Sequence, residues 1–141
     1  MTQPALYLLD TNIISDMMRN PTGRAAQGAR QRGRQDNTRG IVTSVVVQCE
    51  LLYGLRRSGS SRWQHPYRVT MESLDVLPLD PQTAVAYANL RNQLESAGTP
   101  IGPMDTLIAA HALALGATLV SADAEFTRVP GLQLENWLQP A

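Results

Sequence analysis

Residues 6–12 read Leu6-Tyr7-Leu8-Leu9-Asp10-Thr11-Asn12, four apolar side chains in succession halted by a carboxylate, a hydroxyl and an amide. An apolar run this short and this continuous reads as a buried strand, and its polar stop marks the strand's carboxyl end. In an open parallel sheet, chemistry collects at those ends and at the helix starts that follow them. Asp10 is therefore the first residue to follow outward.

A short helix is expected from Ile13 through Met18, ended by Asn20-Pro21. Residues Ala25 to Arg34 suit an arginine-rich helix or a loose loop. Ile41-Val42-Thr43 reads as a second strand, and Ser44 as the N-cap of a helix over Val45 to Arg57 that breaks at Ser58-Gly59-Ser60-Ser61. A helix through Val69 to Leu74 follows, its start obscured by Pro66. Val76-Leu77-Pro78-Leu79 is a short extended segment whose proline argues for a sheet edge. Asp80-Pro81 supplies an N-cap with proline at the first helical position, so a helix runs from Asp80 to Gly98. Gly102-Pro103 opens another over Met104 to Leu115, stopped by Gly116. Thr118 to Ser121 is a strand, Ala122 to Glu125 a turn or short helix start, and Leu132-Gln133-Leu134 a last strand. Strands separated by helices imply right-handed crossovers, hence an α/β fold of three layers with a central, mostly parallel sheet flanked by helices.

The chain has 141 residues, 43% apolar and 17% charged, which suits a single domain spanning 1–141. At this size a core forms without disulfides or a structural metal. Cys49 has no intrachain partner, and with His65 and His111 as the only histidines the zinc-ribbon and finger classes are excluded. All twelve cationic residues are arginine. The absence of lysine removes P-loop NTPases, Schiff-base and PLP enzymes, and aspartate chemistry that keeps a lysine beside the reactive acid. No apolar run approaches a membrane span, and Met1-Thr2-Gln3-Pro4 places no basic segment before the apolar one, so a cytoplasmic, soluble protein is expected.

Zero net charge conceals a split. From Arg19 to Arg68 ten arginines face only Asp36 and Glu50, a net of +8, while the residues from Val69 onward carry −6. Guanidinium groups bind phosphates as bidentate forks, so the middle of the chain suits a polyanion; a solvated polar face is the plain alternative.

Four acids stand out. Asp10 ends the first strand, Asp105 sits in the first turn of the alanine-rich helix, and Asp123 follows the Thr118 to Ser121 strand, so all three can meet at one sheet edge. Glu50 shares a helix surface with Val46, Val47, Leu51 and Gly54 that is expected to face the protein. Converging carboxylates repel, and either raise their pKa values or hold a divalent cation. With oxygen ligands only, the suitable ion is Mg²⁺ or Mn²⁺. Simpler roles compete: Asp10 as a helix cap, Asp105 as a complement to the helix dipole, Asp123 as a turn residue with Glu125 also available. Asp16, Asp36, Asp75 and Asp80 read as surface or capping residues.

Leu8-Leu9-Asp10-Thr11-Asn12-Ile13, Ser44 through Glu50-Leu51-Leu52-Tyr53-Gly54, Pro103-Met104-Asp105-Thr106 through Ala112, and Leu119-Val120-Ser121-Ala122-Asp123 resemble, in order, the four acidic motifs of PIN-domain ribonucleases, in particular toxins of the VapC or FitB type. The likeness runs almost end to end. It implies a PIN-like fold, a Mg²⁺ or Mn²⁺ site on Asp10, Glu50, Asp105 and Asp123 with Thr11 and Ser121 beside them, and a homodimer. It further implies metal-dependent cleavage of RNA to 5′-phosphate and 3′-hydroxyl ends, an antitoxin that blocks the site, and contact with operator DNA only through that antitoxin. Asp10 and Asp105 are then expected as direct ligands, Glu50 as ligand or water-orienting base, and Asp123 as the residue that completes the site. Two alternatives stand beside the toxin: an RNA-processing nuclease of the same family, and an interaction module with vestigial activity.

Lesser features have competing uses. His111, six residues after Asp105 on the same helix, is expected on a different face, packed or solvated. Trp63 and Tyr67 suit base stacking or packing. Leu52 and Tyr53 look like packing residues, and Met17, Leu52 and Leu55 suit either core or a groove for an amphipathic antitoxin helix.

Overall fold

The computed structural model describes residues 4–35 and 38–140. The expectations for Met1 to Gln3 and for Asp36 lie outside those residues. The element order is β1 (Ala5–Leu9), α1 (Thr11–Arg19), α2 (Arg24–Gly33), β2 (Thr38–Ser44), α3 (Val45–Ser58), α4 (Gln64–Glu72), β3 (Asp75–Leu77), α5 (Pro81–Ser96), α6 (Pro103–Leu115), β4 (Thr118–Val120), a short 3-10 helix (Ala124–Arg128) and β5 (Gln133–Glu135). The strands form one five-stranded sheet in the order β3-β2-β1-β4-β5, every pair parallel. No helix among the described residues is long and apolar enough to cross a membrane.

The sheet is centred on the apolar run first quoted. Leu8 and Leu9 are wholly buried, and β1 pairs with β2 on one side and β4 on the other. Each buried leucine contributes up to about 2–3 kcal/mol from apolar burial. Side chains alternate across the sheet, and the two faces are covered differently. Tyr7 lies under α2, where Arg32 stacks over Trp137 at 4.6 Å and pairs with Glu135 at 3.3 Å. Ser44 faces α6, whose His111 Nδ1 lies 2.8 Å from the Ser44 hydroxyl. Helices on both faces make the three layers.

The chain leaves β1 toward β2 and β3, then crosses back to β4 and β5 on the opposite side of β1. The topological switch point therefore lies between the carboxyl ends of β1 and β4. Asp10 caps one end, its amide donating to the Val120 carbonyl at 2.9 Å, and Ser121 opens the other. The fold sets these two turns side by side before any side-chain chemistry is considered.

Several boundaries differ from expectation for identifiable reasons. Helix α1 begins at Thr11 rather than Ile13 because the Asp10 carboxylate accepts from the Thr11 amide. Helix α4 begins at Gln64, well before Val69. Pro66 falls in its first turn, where backbone amides have no intrahelical acceptor and the missing N–H costs nothing. Helix α2 forms at Arg24–Gly33 with Arg34 as its C-cap, where a helix or a loose loop was expected over residues 25–34, and Asp80 caps α5 through the Thr83 amide. The last strand is shifted one residue, to Gln133–Glu135. Tyr53, expected to pack, is 65% exposed, and Gly54 is exposed as well. The buried surface of α3 is narrower than its composition suggests, being Val46, Val47 and Leu51.

Candidate active site

Asp10 is 4% exposed, and burial is the main cause of a carboxyl pKa raised above the ordinary value. Both of its oxygens nevertheless accept hydrogen bonds. Oδ1 accepts from the Thr11 amide at 2.8 Å; Oδ2 accepts from the Ser121 hydroxyl at 2.7 Å and from the Asn12 side-chain amide at 3.3 Å. These donors stabilise the ionised form and oppose the burial. Glu50 reaches the same place from α3, where its Oε1 accepts from the Thr11 hydroxyl at 2.7 Å. Thr11 thus fixes two carboxylates at once, one through its amide and one through its hydroxyl.

Asp105 occupies the first turn of α6 with no side-chain hydrogen bond among the described residues. Its pKa is raised to about 6, first by burial and then by the charges of Asp10, Asp123, Glu50 and Glu125. Dipole complementation at the start of α6 cannot account for this, because it would lower the pKa. Asp123 follows β4; its amide donates to the Ser121 hydroxyl at 3.0 Å, and its Oδ1 caps the 3-10 helix through the Glu125 amide at 2.9 Å. That short helix turns Glu125 toward the cluster. Asp105, Asp123 and Glu125 each present an oxygen, and the three lie within 4.8 Å of one another.

The donor set fits a hard divalent cation. Opposed ligands on Mg²⁺ stand about 4.2 Å apart, and all the available donors are carboxylate oxygens. Among the described residues no arginine bonds to any of these acids, so their mutual repulsion has no neutralising partner there. A cation would supply one.

The acids expected from the sequence therefore meet at one place. Two contributors were not anticipated there in these roles. Glu125, noticed only as an alternative to Asp123, stands with it. Asn12 ties the two turns together: its amide nitrogen donates to Ser121 Oγ at 3.1 Å and its Oδ1 accepts from the Ala122 amide at 3.0 Å. The only signal for Asn12 in the sequence is its place two residues after the strand-ending acid.

A family model described as PIN domain matches residues 7–132. The chain belongs to the PIN-domain family. Among relatives of this PIN domain, the "Ribonuclease VapC2" of Rickettsia felis is 35% identical over 135 residues, covering 94% of this chain and 98% of the relative. The "tRNA(fMet)-specific endonuclease VapC" of Salmonella typhimurium is 32% identical, covering 93% and 97%. Among solved structures, that of VapBC2 from Rickettsia felis bound to a DNA fragment from their promoter superimposes with a TM-score of 0.83 at 32% identity, over 94% of this chain and 98% of that one.

Two cavities of this PIN domain bear on its partners, and one of them reaches the acids. One of about 260 Å³ opens beside Glu50 and Thr11, between α1 and α3. A second, of about 600 Å³, is lined by Met17, Ala26, Ala29, Ile41, Val69 and Leu74 among others and contains none of the clustered acids. Tyr67, considered for base stacking, is partly buried against the core, where its hydroxyl accepts from the Gln48 amide at 3.3 Å.

Proposed function

We propose that this chain, as one PIN-like domain, is a Mg²⁺- or Mn²⁺-dependent endoribonuclease and the toxin of a type II toxin–antitoxin pair, working in the cytoplasm as a homodimer. The observation that carries the proposal is the convergence of Asp10, Glu50, Asp105 and Asp123, joined by Glu125, at the switch point of the sheet. Relatives named as VapC ribonucleases over nearly the whole length support it.

In this reading Asp10, Asp105, Asp123 and Glu125 hold the cation. Bound there, the cation supplies a water acid enough to lose its proton near neutral pH and a positive charge beside the scissile phosphate. Glu50, oriented by the Thr11 hydroxyl on Oε1, keeps Oε2 for the water and takes its proton. The water oxygen bonds to phosphorus, the bond to the 3′-oxygen breaks in line, and that oxygen leaves as an alkoxide that takes a proton from solvent water to become the 3′-hydroxyl. The products carry 5′-phosphate and 3′-hydroxyl ends. Ser121 and Asn12 hold Asp10 in register with Asp123 throughout. Arginines between residues 19 and 68 position the strand through its phosphates.

The antitoxin is a protein partner that covers the acids, and the 600 Å³ cavity between α2 and α4, at the amino ends of β2 and β3, suits one face of an amphipathic helix from another part of that partner. Contact with DNA runs through that partner, as the promoter complex of the Rickettsia relative suggests.

Purified protein incubated with total RNA in Mg²⁺, Mn²⁺ or EDTA, beside an Asp10→Asn control prepared identically, tests the activity. Metal-dependent fragments bearing 5′-phosphates, absent from the control, are expected. Equal cleavage by both proteins would mark a contaminant, and no cleavage by either would refute the nuclease.

A further inference from the structure

The 260 Å³ cavity beside Glu50 is lined by Thr11, Ser15, Met18 and Arg19 of α1, by Glu50, Leu51, Gly54, Leu55 and Ser58 of α3, and by Trp63 just before α4. Its mouth is continuous with the acid cluster through Glu50 and Thr11. Gly54 is the unusual member. It lies inside helix α3, where glycine costs about 0.5–1 kcal/mol relative to alanine. Helix packing gives no reason for it: a Cβ at this position would meet no heavy atom within 4 Å. The protein leaves open, at a cost in helix stability, the space that a side chain would fill on the wall of a cavity next to its acids. Such a local departure from propensity is expected where a ligand approaches.

The other wall is aromatic. Trp63 is half-buried, and the Arg62 guanidinium lies 4.8 Å from its ring centroid. Arg62 and Arg19 are both exposed and neither forms an ion pair among the described residues; Arg19 lines the cavity, and Arg62 lies against the Trp63 ring beside it. The volume lies below the roughly 300–1,000 Å³ of pockets that enclose a whole drug-sized ligand. It suits a single flat ring on a longer chain. Cations at the rim, an aromatic wall and continuity with the phosphodiester-cutting acids together favour a nucleic acid over an apolar peptide.

We infer that this cavity is a base subsite: it takes one unstacked nucleobase of the RNA, next to the scissile phosphate, on Trp63 and over Gly54, while Arg19 and Arg62 hold the adjoining phosphates. The inference rests on the ribonuclease reading and adds a determinant of which bond is cut.

The test uses an RNA oligonucleotide containing one mapped cut and a series in which each nucleotide near the cut is made abasic in turn. The proteins compared are the wild type, Trp63→Ala and Gly54→Leu; the leucine is compatible with the helix and fills the cavity. One abasic position lowers wild-type kcat/KM by roughly five- to 150-fold, the range for loss of one base–aromatic stack. Both variants lose a similar factor on intact RNA, and the abasic change at that position then costs them nothing further. Fluorescence anisotropy of end-labelled RNA in EDTA reads the same coupling without catalysis. Coupling in that arm together with a cut that Asp10→Asn makes equally well would refute the nuclease and keep the subsite. Equal losses on intact and abasic RNA in both arms would overturn the subsite and leave the cavity to an apolar side chain of a protein partner.

Discussion

Asp105 bears the largest charge conflict in the cluster, because burial and four neighbouring acids all favour its neutral form. Its folded pKa of about 6 lies above the unfolded value of 3.8, so the folded state binds this proton more tightly. In metal-free protein the group therefore imposes no penalty below pH about 4; the penalty grows between 4 and 6 and is full above 6. Asp105→Asn removes it. In EDTA at pH 7.5 the variant is expected to be more stable by on the order of 1 kcal/mol after allowance for solvent screening, or about 3 °C in Tm, with the difference vanishing near pH 4. Thermal unfolding at the two pH values checks this, and a variant less stable than wild type at pH 7.5 would show that the repulsion is relieved within the fold. Ser121 has the opposite influence on its neighbour, since its hydroxyl favours the ionised form of Asp10. Ser121→Ala should raise the Asp10 pKa further, weaken RNA cleavage about tenfold at pH 7, and shift the acid limb of the pH–rate profile upward. An unchanged acid limb would contradict that role. At this scale the four acids were legible in the sequence because each ends a strand, opens a helix or interrupts an apolar surface. Asn12 and Glu125 were not, because their use depends on two turns 110 residues apart being adjacent.

Helices α3 and α6 carry Glu50 and Asp105, and a buried histidine joins them. His111 is 1% exposed; Nδ1 meets the Ser44 hydroxyl that also caps α3 through the Val46 amide, and the ring lies near the Pro78 backbone after β3. Burial lowers its pKa below 6.5, so it is held neutral. Its contribution to stability is present above pH 6.5 and declines as pH falls below that value. His111→Ala leaves a cavity and an orphaned cap, and is expected to cost about 2–4 kcal/mol in urea unfolding at pH 7.5. A loss under 0.5 kcal/mol would mean the three elements are held by apolar packing alone. The sequence correctly placed His111 away from the chemistry, but helical periodicity does not distinguish a packed histidine from a solvated one; that needs its partners on β2 and β3. The same limit explains Tyr53, whose apolar character suggested packing although among the described residues no element covers that side of α3. Strong caps were read well, as at Asp80 and Gly116. Pro66 misled because proline in a helix's first turn resembles a break.

Across the whole molecule the order β3-β2-β1-β4-β5 gathers Asp105, Asp123 and Glu125 into one cluster and brings Asp10 and Glu50 within electrostatic reach of it. Alternating strands and helices made the parallel sheet legible, while strand order depends on long-range pairing that local patterns do not encode. In the proposed function, the +8 segment from Arg19 to Arg68 is the complement of the acids and would draw RNA toward a cluster that otherwise repels it. Not every arginine is available: Arg32 is committed to Glu135 and Trp137, and Arg91 to Glu95. Log Kd for single-stranded RNA should vary steeply with log salt, and Arg19→Ala should reduce the slope by about 0.7, the value for one phosphate contact. Arg91→Ala should leave the slope unchanged; equal effects of the two would mean that attraction is diffuse rather than directed to the cavity beside Glu50.

The central claim, that the acids at the switch point form a single cation site, is tested most directly by calorimetric titration of Mn²⁺ into wild type and Asp105→Asn at pH 7.5. Saturable binding by the wild type, lost or strongly weakened in the variant and weakened in the wild type at pH 5, is the predicted result. No binding by the wild type, or equal binding by both proteins, would contradict it.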